Sequence, residues 1–498
     1  VSRVPTTLLA ARARIRAHRR WRWLALLVVA GGMMLSVVNV SIVNIALPEM
    51  AADLGVDVPT IGWVFTGFLV TQATFLAVAG RAGDLYGRRR VFVAGVTVLV
   101  VGSVLCALSW NAPSLVAFRV LQGMGACAMA PTAFAYAAEL FAPHERGTAM
   151  GVMGGVISIA PVVALNVAGG LVGAFGWRSV FWFSPIMGAV VLAAAALVLD
   201  ERRGSDRRRR FDISGALLAA VGLFSVLLAL SRGGAWGWTA PPTLAALLGG
   251  LAVLGLLLLH EHRTPDPMLD LGLLRMRSLA TPNLASVFSA AALFGVIILL
   301  PFYFTAVLGF TAVELGLAIT PVAGSFMLVA PLAGRNMLRV GSVRMATAGF
   351  VIATGGALWM AFSAPAETYF AMLPGILLFG VGLAMCTAPI TTTAVSEVPR
   401  RSLGVASSLP NLSRYIGGAL GAAILSAVLG AAVPARLERP NGIADIAGRD
   451  LVASGFRTSA LVAAGFLATA AVIASRMPRL DPTRRVPTAP AGTAASSA

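Results

Sequence analysis

A short signature occurs twice in the chain, 254 positions apart: Val78-Ala79-Gly80-Arg81 returns as Leu332-Ala333-Gly334-Arg335, with Gly87 matched by Gly341 and Arg90 by Arg344. Each copy joins two long apolar stretches, so the chain reads as a membrane protein built from two related halves. Duplication of this kind places a substrate site where the repeats meet, near the bilayer midplane. Charged residues are 12% of the 498 and hydrophobic residues 58%, against roughly 25% charged in a soluble domain. A soluble globular class is excluded.

The net charge of +18 raises the question of nucleic acid. All 38 basic residues are Arg, and most cluster in alternate segments between the apolar stretches, the pattern of positive-inside topology rather than of a DNA-binding face. No nucleic-acid partner is expected; the lipid bilayer is. The three cysteines, Cys106, Cys127 and Cys386, all sit inside apolar runs and suggest no disulfide framework. The first apolar stretch is too long for a signal h-region and reads as an uncleaved helix.

Fourteen stretches approach the ~20 apolar residues that a crossing needs: about 24 to 48, 60 to 80, 90 to 110, 114 to 138, 147 to 172, 178 to 199, 212 to 231, 241 to 260, 279 to 305, 313 to 335, 343 to 363, 368 to 394, 403 to 430 and 455 to 476. The N-terminal tail, Arg88-Arg89-Arg90, Arg202 to Arg210, Arg263 to Arg277, Arg335 to Arg344, Arg400-Arg401 and Arg476 to Arg485 then fall on one side. Both termini are predicted cytoplasmic in a multi-pass cell-membrane protein. The repeat joins spans two and three, then spans ten and eleven, a shift of eight. Two six-helix halves, 24-199 and 279-476, therefore flank a linker, 200-278, carrying two extra transmembrane helices. Residues 1-23 form a basic cytoplasmic tail, and the Pro-, Thr-, Ala- and Ser-rich 477-498 a disordered one. The expected fold class is an all-α polytopic membrane protein.

Several motifs, taken in order, resemble the major facilitator superfamily, in its fourteen-helix drug/proton antiporter branch of the EmrB/QacA type. The first span ends Val38 to Pro48 (VNVSIVNIALP), similar to L-D-x-T-x-V-N-V-A-L-P; Gly80 to Arg90 (GRAGDLYGRRR) resembles the loop motif after the second helix; Leu115 to Gly123 (LVAFRVLQG) resembles L-x-x-x-R-x-x-Q-G of the fourth. Gly176-Trp177-Arg178, Ser231-Arg232-Gly233 with Trp236-Gly237-Trp238, and His260-Glu261-His262-Arg263 are further matches, and the likeness runs from about 24 to 476. It implies the major facilitator fold and proton-driven efflux of small amphipathic drugs or metabolites by alternating access. An importer or uniporter on the same fold, or a non-transporting membrane receptor, are the alternatives.

An arginine at a helix centre costs about 2.5–3.5 kcal/mol on insertion scales, so Arg119 must reach polar partners or a wet cavity unless it snorkels to the interface. Gln122, three residues on, shares its face. The resemblance implies proton relay for this Arg, and a conformational latch of Asp84 with Arg88 and Arg89, on the N-terminal half only, because Asp84 aligns with Leu338 in the second copy. Two positions depart from the branch. Asn39 stands where the first helix carries Asp, which removes the usual carboxylate relay and leaves Asp84, Glu139 or water beside Arg119 as proton carriers. Leu165-Asn166-Val167-Ala168 replaces the Gly-Pro that precedes Gly169-Gly170, making Asn166 either interhelical glue or a substrate contact. Arg414, with Asn411 three residues before it, resembles an arginine common in the branch; it lines the cavity or snorkels. Trp63, Phe68, Gln72, Tyr303 and Phe304 are candidates for the cavity wall. With no Asp or Glu in mid-span, a cavity holding Arg119 and Arg414 favours neutral or anionic cargo over lipophilic cations. No metal-ligand spacing appears and the chain lacks the Lys of a nucleotide-binding P-loop. Neither cofactor nor enzymatic activity is expected.

Overall fold

The computed structural model describes residues 20–141, 145–201, 212–237, 239–264, 276–395, 403–432 and 446–478. The expected tails before residue 20 and after 478, and most of the arginine-rich segments 202–211 and 265–275, lie outside the described residues. The rest is helical. In hydrocarbon no water can satisfy the peptide groups, so apolar runs of this length must bond internally as helices.

Seven helices form the first half: α1 (Trp21–Leu54), α2 (Val58–Tyr86), α3 (Arg88–Ala107), α4 (Ala112–Ala126), α5 (Met129–Leu140), α6 (Arg146–Phe175) and α7 (Ser179–Val198). A hairpin follows, α8 (Ile213–Trp236) and α9 (Pro241–Arg263). The second half comprises α10 (Arg277–Ala306), α11 (Ala312–Val340), α12 (Ser342–Ser363), α13 (Tyr369–Val395), α14 (Leu403–Ala432) and α15 (Ile446–Ser475). Side chains cap several starts: Asp57 accepts from the Thr60 N–H, while Asn111 with Ser114 and Thr311 with Glu314 form capping boxes.

Among the described residues fifteen α-helices appear, ten of them long and apolar enough to cross a membrane, where the sequence predicts fourteen spans. Part of the difference lies in the predicted span 114 to 138, which is two helices, α4 and α5, meeting at Cys127 and Ala128. Pro131 has no N–H for the Cys127 carbonyl, so the ladder breaks one turn before it. Gly125 lies just ahead of the break, where a Cβ would overlap the backbone of Leu99 on α3. The break thus accompanies close packing of α4 on α3.

The duplication seen in sequence recurs in packing. In the first half α1 packs on α6 and α7, α4 on α2 and α3, and α3 on α7; in the second α10 packs on α14 and α15, α13 on α11 and α12, and α12 on α15. Gly87 and Gly341, the repeated glycines, occupy the same left-handed turn, at φ 106° and 92°. There each ends one helix and opens the next, a conformation that glycine alone adopts without strain.

Among the described residues the halves meet chiefly along two seams, α2 against α14 and α6 against α11, with smaller contacts of α1 on α10 and α11, and α8 packs on both α2 and α14. Direct contacts gather at the helix ends opposite the basic loops. A Cβ at Gly62 would stand 3.4 Å from Ser426 Oγ, and one at Gly430 2.7 Å from Pro59. On the other seam a Cβ at Gly169 would stand 2.7 Å from the Ala312 carbonyl and one at Gly316 2.7 Å from that of Leu165. Small residues let these helices approach to backbone distance and close that end of the molecule.

Candidate functional site

The centre of the first half holds a buried polar network built on Arg119. Its Nε donates to the Val64 carbonyl at 2.8 Å, one terminal nitrogen donates to Gln122 Oε1, and the other to the Asn39 carbonyl at 3.3 Å. The Phe68 ring lies 4.3 Å from the guanidinium, close enough for a cation–π contact. Gln122 in turn donates to Asn39 Oδ1 at 2.8 Å and to Ser103 Oγ at 3.0 Å. The Ser184 hydroxyl donates to the same Asn39 oxygen at 2.8 Å, and the Ser103 hydroxyl to the Phe181 carbonyl at 2.8 Å.

Five helices supply these groups: α1, α2, α3, α4 and α7. They meet because Gly102 lets α3 approach the backbone of Gln122, where a Cβ would stand 2.9 Å from its nitrogen. Arg119 and Gln122 have no exposed surface and Asn39 has 1%. The network contains no carboxylate. Amides, hydroxyls and a guanidinium do not exchange protons near neutral pH, so the arrangement fixes helices rather than carrying a proton by itself.

At the basic-loop end two candidates from separate roles meet: Arg88 pairs with Glu139 at 2.7 Å. Arg90 pairs with Glu201 at 3.4 Å, Arg22 with Glu145 at 3.1 Å, and Arg89 donates to the Ala196 carbonyl at 3.5 Å. These bonds tie the ends of α1, α3, α5 and α7 within one half. The Asp84 side chain lies outside the described residues.

The remaining candidates separate. Gln72 donates to Ser36 Oγ at 2.9 Å inside the first half, and Trp63 and Phe68 are buried. Asn166, exposed, donates to the Val162 carbonyl at 2.9 Å and across the seam to Thr320 Oγ1 at 2.8 Å. Tyr303 lies apart from them, fully buried, its hydroxyl donating to the Ala364 carbonyl and its ring against Phe304 and Phe456. Arg414 and Asn411 are half-buried on α14.

Sequence reasoning missed Ser36, Ser103 and Ser184, single hydroxyls in apolar runs whose partners lie on other helices. It also missed two clamps. Trp177 Nε1 and Arg178 each donate to Asp53 at 2.9 Å, pinning the α6–α7 turn to α1. His260 Nε2 lies 2.9 Å from Asp212, joining α8 to α9. Among the described residues no cluster of His, Cys, Asp and Glu could hold a metal, and all three cysteines are buried and unbridged.

Two symmetric helical halves with a buried arginine network define a membrane transporter rather than an enzyme. The chain belongs to the Major Facilitator Superfamily, whose pattern it matches over residues 29–422. It is 33% identical over 422 residues to the multidrug resistance protein Stp of Mycobacterium tuberculosis (strain CDC 1551 / Oshkosh), covering 84% of this chain and 78% of that one. It is 31% identical over 462 residues to the puromycin resistance protein pur8 of Streptomyces alboniger, with 91% and 90% covered. It is 30% identical over 412 residues to the tetracenomycin C resistance and export protein of Streptomyces glaucescens, with 82% and 76% covered. Among solved structures, a bacterial homolog of the human lysosomal transporter Spinster, inward-facing and unoccupied, superposes with a TM-score of 0.68 at 17% identity, covering 94% of this chain and all of that one. That likeness concerns the fold.

Proposed function

We propose that the protein is a proton-gradient-driven exporter of small amphipathic drugs or metabolites, working by alternating access in the cell membrane with both termini cytoplasmic. Drug efflux itself is the family reading, since relatives covering most of the chain are named for drug resistance and export. The observation that carries alternating access is the asymmetry of the seams. Symmetric halves touch directly at the ends opposite the basic loops, so that end acts as the closed outer gate and the basic-loop end as the entrance.

In this reading the chain crosses the membrane fourteen times, α4 and α5 together making one crossing. The Arg119, Gln122 and Asn39 network is the pivot of the first half. Glu139 takes up and releases the proton while its partner Arg88 acts, with Asp84 and Arg89, as the cytoplasmic latch. Trp63, Phe68, Gln72, Asn166, Asn411, Arg414 and Tyr303 are the residues whose replacement tests substrate contact.

A uniporter or importer is the second reading, favoured by one observation: the network around Arg119 has no carboxylate. Proteoliposomes of known orientation with an imposed pH gradient separate the two. The exporter reading predicts cargo movement opposite to the protons that stops when the gradient is collapsed. Movement down the cargo's own gradient, unaffected by pH, supports the uniporter.

A further inference from the structure

The α6–α11 seam is closed at one end and parts at the other. The two helices run antiparallel: a Cβ at Gly169 would stand 2.7 Å from the Ala312 carbonyl, and one at Gly316 2.7 Å from that of Leu165. Asn166 then donates to Thr320 Oγ1 at 2.8 Å, which fixes the register. Positions seven apart share one face of a helix, two turns along. Two turns toward the basic loops, about 10 Å at 1.5 Å per residue, this register sets Ile159 of α6 opposite Met327 of α11, and one turn further Gly155 opposite Pro331.

These four residues do not close on one another. Ile159 and Met327 are 43% and 44% exposed, whereas Ala323, one turn before Met327, is 7% exposed. A Cβ at Gly155 would meet no atom within 4 Å, and Pro331 is exposed. The helices therefore diverge toward the basic loops. A proline stands near the point of parting in each, Pro161 in α6 and Pro321 in α11. Each leaves the carbonyl four residues back without its helical donor, so the helix can bend away there. The other seam has a cover: α8 lies against both α2 and α14, and among the described residues no helix packs in the same way on both α6 and α11.

The four residues that line the opening, Gly155, Ile159, Met327 and Pro331, are all apolar, and on α11 they continue into Leu328 and Leu332, exposed 65% and 54%. Such a surface is covered by hydrocarbon, and the flexible Met327 thioether adapts to chains of different shape. Met327 lies about 22 Å along α11 from Ala312. In a hydrocarbon core about 30 Å thick that is beyond the midplane, in the leaflet on the basic-loop side. We infer that the parted α6–α11 seam is a lateral portal through which the hydrocarbon tail of an amphiphile dissolved in the cytoplasmic leaflet enters between the halves. The partner is a bilayer-dissolved amphiphile rather than a water-borne polar solute. The inference rests on the transporter reading and its orientation in the membrane, but not on the direction or ion coupling of transport.

The test is bimane fluorescence from single introduced cysteines in the full chain, held in nanodiscs of phosphatidylcholine with or without bromine on the acyl chains. Bromine quenches only what the tails reach. The three native cysteines are buried, and the unsubstituted chain labelled in parallel gives the background. Met327→Cys should be quenched by brominated tails and spared by aqueous iodide, as should Leu328→Cys on the outer surface of the same helix. Adding Gly155→Leu, which fills the empty side of the opening, should remove most of the quenching at Met327→Cys and leave that at Leu328→Cys unchanged. Iodide quenching of Met327→Cys in place of lipid quenching, quenching by neither, or a Gly155→Leu effect that is absent or equal at both positions would each overturn the inference. Because the readout needs neither a gradient nor a transported cargo, loss of gradient-driven flux with this pattern intact would count against the exporter reading alone.

Discussion

Arg119 is useful to the protein for what surrounds it. Its charge is held by three acceptors and a ring rather than by a carboxylate, so its geometry matters as much as its charge. Arg119→Lys should therefore fail, because an ammonium on a single stem cannot reach the Val64, Asn39 and Gln122 oxygens together. The expected loss is about 2–4 kcal/mol, the order of one or two charge-assisted bonds to buried acceptors, read as a lower unfolding temperature in detergent. Ser184→Ala should be milder, about 1 kcal/mol, since Asn39 Oδ1 keeps its bond from Gln122. The Arg119 and Gln122 pair was legible from its i, i+3 spacing inside an apolar run. The serines were not, because Ser184 meets Asn39 across 145 residues of chain and Ser103 meets Gln122 from a different helix.

At the scale of elements, the glycine turns were the clearest part of the sequence. Gly87 and Gly341 repeat at a fixed spacing because both turns need the same left-handed backbone. The α4–α5 break was hidden, since Pro131 sits in a run apolar enough to read as one span. Close helix pairs were also unreadable, for a glycine that touches a partner backbone looks like one that faces lipid. Gly421 is of the first kind. Gly421→Ala should push α14 off Ala291 and cost about 1–3 kcal/mol, the usual range for overpacking, checked by thermal unfolding. Gly170, with open space around its Cβ position, should accept alanine without loss. On the α6–α11 seam, Asn166 and Thr320 are within hydrogen-bond distance. A double-cysteine variant, Asn166→Cys with Thr320→Cys, should cross-link on oxidation, stop transport, and recover with reductant; full transport by the cross-linked protein would show that this seam does not open.

For the whole molecule, the 254-residue repeat runs parallel to the packing pattern shared by α1–α7 and α10–α15, as a duplicated sequence buries the same faces twice. It also placed α8 and α9 outside the repeat, but not their position. α8 lies against both α2 and α14 and so covers one seam, whereas among the described residues no helix packs in the same way on both α6 and α11. In the proposed alternating-access mechanism the halves rock about the contacts opposite the basic loops, which requires α8 to move with one of them. Charge distribution carries the orientation proposed above, and the described network holds Arg119 through carbonyl and amide oxygens. The central claim is that this motion exports small molecules at the expense of the proton gradient. Its most direct test is the accumulation of neutral, anionic and cationic dyes in efflux-deficient cells expressing the chain, with and without a protonophore. The account predicts lower accumulation of anionic and neutral dyes, restored to control levels by the protonophore. Raised accumulation, or a reduction that the protonophore leaves intact, would contradict it.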